Sequence, residues 1–255
     1  FCIGTFAMLL NAFRRLFSNS QNRKARRASA RPQLLQLEGR IVPATIMVDT
    51  TSDSMNSTDN LTSLREAITT ANASSANDII DFSVTGTITL DSVLKSLPTI
   101  ANISAAGTLA ITGPGSTLLT ISGLDGGNAN RDFRIFNIAT GGNLSISGVT
   151  VSGAQFTGAG GAFNNSGTLT VTNSTISGNS ASGGGGIVNS GNLTVTNSTI
   201  SGNSASSGGG IANGGTLTVS NSTISGNSAS SGGGIDNSVG TVTVTNSTIS
   251  GNSAS

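Results

Sequence analysis

Along residues 165–255 one pattern of apolar and polar positions repeats. The segment NSGTLTVTNSTISGNSASGGGGIV, residues 165–188, recurs at 189–212 and 213–236 with few changes, and a shortened copy fills 237–255, so the period is 24. Within each copy Thr-Leu-Thr-Val-Thr alternates polar and apolar residues, Ser-Thr-Ile-Ser does so again, and Gly-Gly-Ile closes the unit. Such alternation predicts strands, and the Asn, Gly and Ser clusters between them supply turns. There is no room for a helix. Traced backward, a first apolar column holds Leu119, Leu144, Leu169, Leu193, Leu217 and Val242, and a second holds Ile121, Ile146, Val171, Val195, Val219 and Val244. A third holds Ile138, Phe163, Ile187, Ile211 and Ile235, and a fourth Val151, Ile176, Ile200, Ile224 and Ile249. Registered columns at a fixed period mark a stacked repeat. Equivalent strands of successive units then pair in parallel about 4.8 Å apart, wound right-handed as parallel crossovers are. The predicted fold is all-β, a right-handed parallel β-helix (solenoid) of about 24-residue coils with a short N-terminal capping helix. Two corner columns, Asn173, Asn197, Asn221, Asn246 and Asn179, Asn203, Asn227, Asn252, are expected to form amide ladders along the axis.

Upstream the pattern changes. Ile46-Met47-Val48 suggests a first strand, and TSLREAITTAN, residues 62–72, predicts a helix: Ser63 and Glu66 form a capping box, while Leu64, Ala67, Ile68 and Ala71 make one apolar face. The organisation that follows is a largely disordered basic leader over 1–43, an N-terminal cap with irregular first coils over 44–139, and regular coils over 140–255, truncated at the C-terminus. A solenoid end leaves strand edges unpaired and so needs an atypical terminal unit. The final copy stops after its second strand, which predicts a piece of a longer protein and end-to-end self-association through an uncapped last coil.

Three segments resemble known families. Ser63-Leu64-Arg65-Glu66-Ala67-Ile68 resembles the Cys-Ser-Leu-Arg-Glu-Ala-Ile motif of bacterial secreted β-helix proteins, with Thr62 in place of the Cys. That resemblance, which covers residues 46 to about 150, implies a helix lying across the first coil as a lid. Leu37-Glu38-Gly39-Arg40-Ile41-Val42-Pro43-Ala44 is similar to a signature near the start of many large bacterial surface and secreted proteins, which implies export. Ile176-Ser177-Gly178-Asn179 and Gly185-Gly186-Ile187 resemble the Phe-x-x-Asn and Gly-Gly-Ala-Ile marks of bacterial polymorphic outer-membrane protein repeats, with Ile for Phe. They imply a surface or autotransported adhesin-like passenger, secreted or held at the cell surface or outer membrane.

Composition narrows the chemistry. Gly, Ser, Thr and Asn supply 134 of the 255 residues, histidine is absent and Cys2 is the single cysteine. Ser-His-Asp and Cys-His catalysis, His or Cys metal sites and an intrachain disulfide are thereby excluded. No cofactor is expected. Residues 1–43 carry eight basic residues and one acid, whereas residues 44–255 carry four basic and ten acidic. The body therefore has no basic face for nucleic acid. Residues 1–17 hold no apolar run of the ~20 residues a membrane span needs, so no transmembrane helix is expected.

Three functions fit these limits. A polysaccharide-binding or -cleaving β-helix needs carboxylates with Arg or Lys converging on one face, and the candidates are Asp125, Arg131, Asp132 and Arg134 in GLDGGNANRDFR. An ice-binding solenoid would use outward Thr168, Thr170 and Thr172 stacked on Thr194, Thr196, Thr216, Thr218, Thr241, Thr243 and Thr245. The third, on which the sequence reading settles, is a non-enzymatic structural or adhesin-like rod. It needs no catalytic group and engages a surface, carbohydrate or protein partner by extended contact.

Overall fold

The computed structural model describes residues 43–56, 58–74, 76–101, 107–124 and 132–255. The basic leader lies outside the described residues except for Pro43. The rest winds into a parallel β-solenoid of about five coils of about 25 residues. Three sheets line it. The longest has eight strands, running from Thr45–Val48 through Ile79–Phe82, Leu109–Thr112 and Asn143–Ser147 to Thr168–Thr172, Asn192–Thr196, Thr216–Ser220 and Thr241–Thr245. The second has seven strands, from Gly86–Thr89 to Thr248–Ser250, and the third has five, from Phe136–Ile138 to Ile235–Asn237.

Each strand pairs in parallel with its own copy one coil away: Leu169 stands opposite Leu193, Ile176 opposite Ile200, and Ile187 opposite Ile211. The period-two pattern decides which side faces in. In Thr168–Thr172 the Leu and Val are buried and the three Thr are half-exposed, and Thr175–Ser177 buries only its Ile. Apolar columns thus stack into one core that includes Leu169, Val171, Ile176, Ile187 and their equivalents.

Two early column assignments are corrected. Leu119 and Ile121 belong to the second sheet, where Leu119 faces Gly86 and Ile121 lies between Ile88 and Val151. The partners of Leu144 and Ile146 are Leu109 and Ile111. Counting back by a constant period fails because this early coil is longer than the later ones, with 35 residues separating equivalent positions such as Thr108 and Asn143. In the third sheet Phe136, not Ile138, stands opposite Phe163, and their rings stack with centroids 4.9 Å apart. Ile138 instead opposes Asn165, the head of a column that continues through Asn189, Asn213 and Asn237. These Asn are the second inward residue of each strand.

The ladders therefore differ from expectation in one of the two columns. Asn179, Asn203 and Asn227 are buried, and each Nδ2 donates to the next Oδ1 at 2.9 Å, ending on Asn252. Each of these Oδ1 acceptors also takes the backbone N–H of the preceding coil's Asn at 3.0 Å. A second ladder, not foreseen, joins Asn165, Asn189, Asn213 and Asn237 at 2.7 Å per step. Asn173, Asn197, Asn221 and Asn246 form no ladder. They are exposed and hold φ between 48 and 50°, so they serve as left-handed corners, a conformation Asn adopts more readily than most residues. The residue after each corner takes over the stacking. Ser174, Ser198 and Ser222 donate their backbone N–H to the next coil's Ser Oγ at 3.1 Å.

The helix, α1, spans Leu64–Ala73 and has the predicted capping box: Ser63 Oγ accepts from Glu66 N–H at 3.2 Å and Glu66 Oε2 from Ser63 N–H at 2.9 Å. Its face of Leu64, Ala67, Ile68 and Ala71 is buried in the same core as Val48 and Ile80. Arg65 is buried as well. Its Nε and Nη2 pair with the two Asp53 carboxylate oxygens at 2.8 and 2.7 Å, and its remaining donors reach the carbonyls of Ser96, Lys95 and Leu94. A desolvated guanidinium is tolerated because all its N–H groups are used.

Replacing Asn203 by Ala removes the Oδ1 that accepts Asn179 N–H and Nδ2 and the Nδ2 that donates to Ile176 C=O, and leaves Asn227 Oδ1 with only the backbone N–H of residue 203. The expected loss is about 2–4 kcal/mol. Asn197→Gly, at a corner whose φ suits glycine, should change stability by about 0.5 kcal/mol or less. Urea unfolding of the two variants checks this.

Candidate functional site

The outer face of the longest sheet is set by its register. Thr168, Thr170 and Thr172 stand opposite Asn192, Thr194 and Thr196, which stand opposite Thr216, Thr218 and Ser220, then Thr241, Thr243 and Thr245. Ser145 and Ser147 extend two of the three columns one coil earlier. Strand spacing of about 4.8 Å and about 6.7 Å between alternate residues makes this a regular grid of hydroxyls. Only Thr196 and Ser220 bond to each other across it, at 3.1 Å. No charged residue stands in these rows, so the face can hydrogen-bond an extended partner but carries no acid or base.

Charge collects where the repeat breaks. Of the four predicted site residues, Asp125 and Arg131 lie outside the described residues, and Asp132 and Arg134 flank the buried Phe133. Asp132 is exposed, with Oδ1 accepting from Thr157 N–H at 2.6 Å and both carboxylate oxygens reached by the Thr157 hydroxyl at 2.9 Å. The Thr157 N–H first, then its hydroxyl, and lastly the charge of Lys95 hold this carboxyl below the usual aspartate range. Arg134 lies 4.6 Å above the centre of the Phe156 ring and donates to Asn137 Oδ1 at 3.3 Å. Burial pushes its pKa down from the ordinary arginine value. The two residues share a patch but not an ion pair; among the described residues the ion pair is Arg65–Asp53.

Phe156 and Thr157 were not anticipated. The available signal was a departure from the repeat: Gln155 bridges to Ser180, which puts Phe156 and Thr157 where the next coil has Ala181 and Ser182. A second polar feature, an open cleft of about 520 Å³, is lined by Thr51, Ser52, Asp53, Thr87, Thr89, Leu90, Asp91 and Ser92. Its carboxylates are engaged. Asp53 holds Arg65 and the Asp91 N–H, while Asp91 Oδ1 accepts from Val93 and Leu94 N–H, which keep it below the usual range. Among the described residues no group of three or more Asp, Glu or Cys side chains is placed to hold a metal ion. No helix of the described residues is long and apolar enough to cross a membrane.

Parallel strands in register, a closed apolar core and coil-to-coil amide ladders all point to one architecture. This is a right-handed β-helix. Residues 131–255 match the family model described as a right handed beta helix region. No curated protein and no solved structure matches the chain. Within the β-helix region the match begins beside Asp132 and Arg134, so this patch sits at the entry to the regular coils.

Because Asp132 is held below the usual range, its contact with Thr157 is complete above that range and is lost as pH falls through the lowered midpoint. A carboxyl-carbon NMR titration should place the Asp132 midpoint below that of an unperturbed aspartate. In Thr157→Val the midpoint should rise part of the way, since the backbone N–H remains.

Proposed function

We propose that the protein is a non-enzymatic, secreted or cell-surface β-helix, an adhesin-like rod that binds an extended carbohydrate or protein partner along its uncharged hydroxyl face. The observation that carries this reading is the registered Thr and Ser grid on the longest sheet, which continues over successive coils without a charged residue. A face of this kind offers many weak, evenly spaced hydrogen bonds, and summed contacts of that sort suit a repetitive partner better than a small substrate. The similarity of residues 37–44 to export signatures supports the surface location. The engagement of Asp53, Asp91 and Asp132 in local hydrogen bonds supports a binding role over hydrolysis. The regular grid also favours a second reading, binding to ice, in which ordered water replaces the polymer.

Binding to a panel of immobilised polysaccharides and extracellular matrix proteins, read by surface plasmon resonance, tests the first reading. One or more ligands should bind with affinity that changes little between low and high salt, because no charge is involved. The double variant Thr194→Lys, Thr218→Lys should lose at least tenfold in affinity while keeping its β-rich circular dichroism. Reducing-end release or unsaturated product from any ligand would move the protein to the enzymes, and thermal hysteresis without polymer binding would favour ice.

A further inference from the structure

Among the described residues Asp78 Oδ2 is the one buried side-chain oxygen or nitrogen with no hydrogen-bond partner. Asp78 is 2% exposed and immediately precedes the strand Ile79–Phe82. Its carbonyl accepts from Ala110 N–H at 2.9 Å and its Oδ1 from Ala44 N–H at 3.0 Å. The carboxylate is thus fixed in place with one oxygen committed to the backbone and the other committed to nothing. Leaving a buried carboxylate oxygen bare is costly, and such an oxygen calls for a ligand.

Asp78 helps to line a cavity of about 30 Å³ beside the C-terminal end of α1. That volume holds about one water or one ion. The other polar walls are Asn72, Ser74, Thr108 and Asn143, and no Lys or Arg among the described residues lines the cavity. Asn72 Nδ2 is spent on Thr99 C=O at 2.9 Å and Asn143 Nδ2 on Thr108 Oγ1 at 2.8 Å, so among the described residues neither amide oxygen has a donor. The set is one carboxylate and several neutral oxygens with no cation to balance them.

We propose that this cavity is a binding site for a single calcium ion, with Asp78 Oδ2 as the charged ligand and the Asn72 and Asn143 side-chain oxygens as neutral ones. Calcium accepts mixed carboxylate, amide and water oxygens in irregular geometry, whereas magnesium demands near-octahedral geometry at shorter distances and gives up its own waters reluctantly. With one carboxylate the site is weak, in the millimolar range found for extracellular modules. Asn72 lies on α1, Asp78 precedes the second strand of the longest sheet, and Thr108 and Asn143 precede or begin its third and fourth. The ion would therefore clamp the helix to three successive coils at the end of the solenoid where the regular repeat has not yet begun.

Equilibrium dialysis of chelator-treated protein against radioactive calcium, with melting curves in matched calcium, magnesium and sodium chloride, tests the site. One calcium should bind per chain, and about 10 mM calcium should raise the melting temperature by about 3–5 °C, with about 1 °C or less from magnesium or sodium. Asp78→Asn keeps an acceptor for Ala44 N–H and should fold, yet lose both the bound calcium and the calcium-dependent rise. Asn72→Ala, on the helix surface, should weaken binding severalfold without unfolding the coils. Absence of bound calcium at 10 mM, equal stabilisation by sodium, or undiminished binding by Asp78→Asn would each overturn the proposal.

Discussion

A buried side-chain amide that only the next coil can satisfy is the constraint on which this solenoid depends. Asn179 and its equivalents cannot reach water, so their Nδ2 and Oδ1 atoms must find partners inside. They find them one coil away, and the same Oδ1 that accepts the neighbouring side chain also accepts that residue's backbone N–H. The Asn165 series, in the five-stranded sheet, also pairs Nδ2 with the next Oδ1, its Nδ2 reaching a backbone carbonyl of the next coil as well. Register then follows from chemistry as well as from shape: a slip by one residue would put the Asn179 amide against Gly202 or Ser204, and the Asn189 amide against Ala212 or Gly214, and leave it without its partner in the core. The apolar columns supply attraction, but Leu on Leu and Val on Val tolerate misalignment better than a pair of two-point amides does.

The regular coils were legible because their information is local. Period-two alternation in Thr-Leu-Thr-Val-Thr names the inward residues, and repetition names their partners. The helix was equally legible, since its capping box and apolar face lie within ten residues. The early coils were not. Leu119 was assigned to the wrong sheet because a constant period cannot see that one coil is longer. The ladder through Asn165 and Asn189 was missed for a different reason. Asn173 and Asn189 recur with the same period, and only alternation within the Ile-x-Asn strand shows that Asn189 points inward while Asn173 forms a left-handed corner. The candidate patch was half legible: Asp132 and Arg134 stood out as charges, but Phe156 and Thr157 come to them from the next coil, a contact set by register and not by sequence proximity.

Stacking consumes the inward polar groups, and what remains for function faces out. On the longest sheet that remainder is hydroxyl and uncharged, a consequence of building strands from threonine, which suits a pleated, half-exposed surface. Among the described residues, charged groups are confined mainly to the irregular first coils, where they brace loops: Arg65 with Asp53, Asp91 with the turn at Val93, Asp132 with Thr157. Asp78 is the exception, buried and incompletely used.

Side-chain amide hydrogen exchange measured by NMR on the native protein tests the ladder account most directly. The Nδ2 protons of Asn179, Asn203 and Asn189 should exchange as slowly as the backbone amides of Ile176 and Ile200, because freeing them requires the coils to part. Those of Asn173 and Asn197 should exchange at the rate of a solvated amide. Fast exchange in both groups, with the backbone still protected, would contradict the claim that buried amides fix the stack.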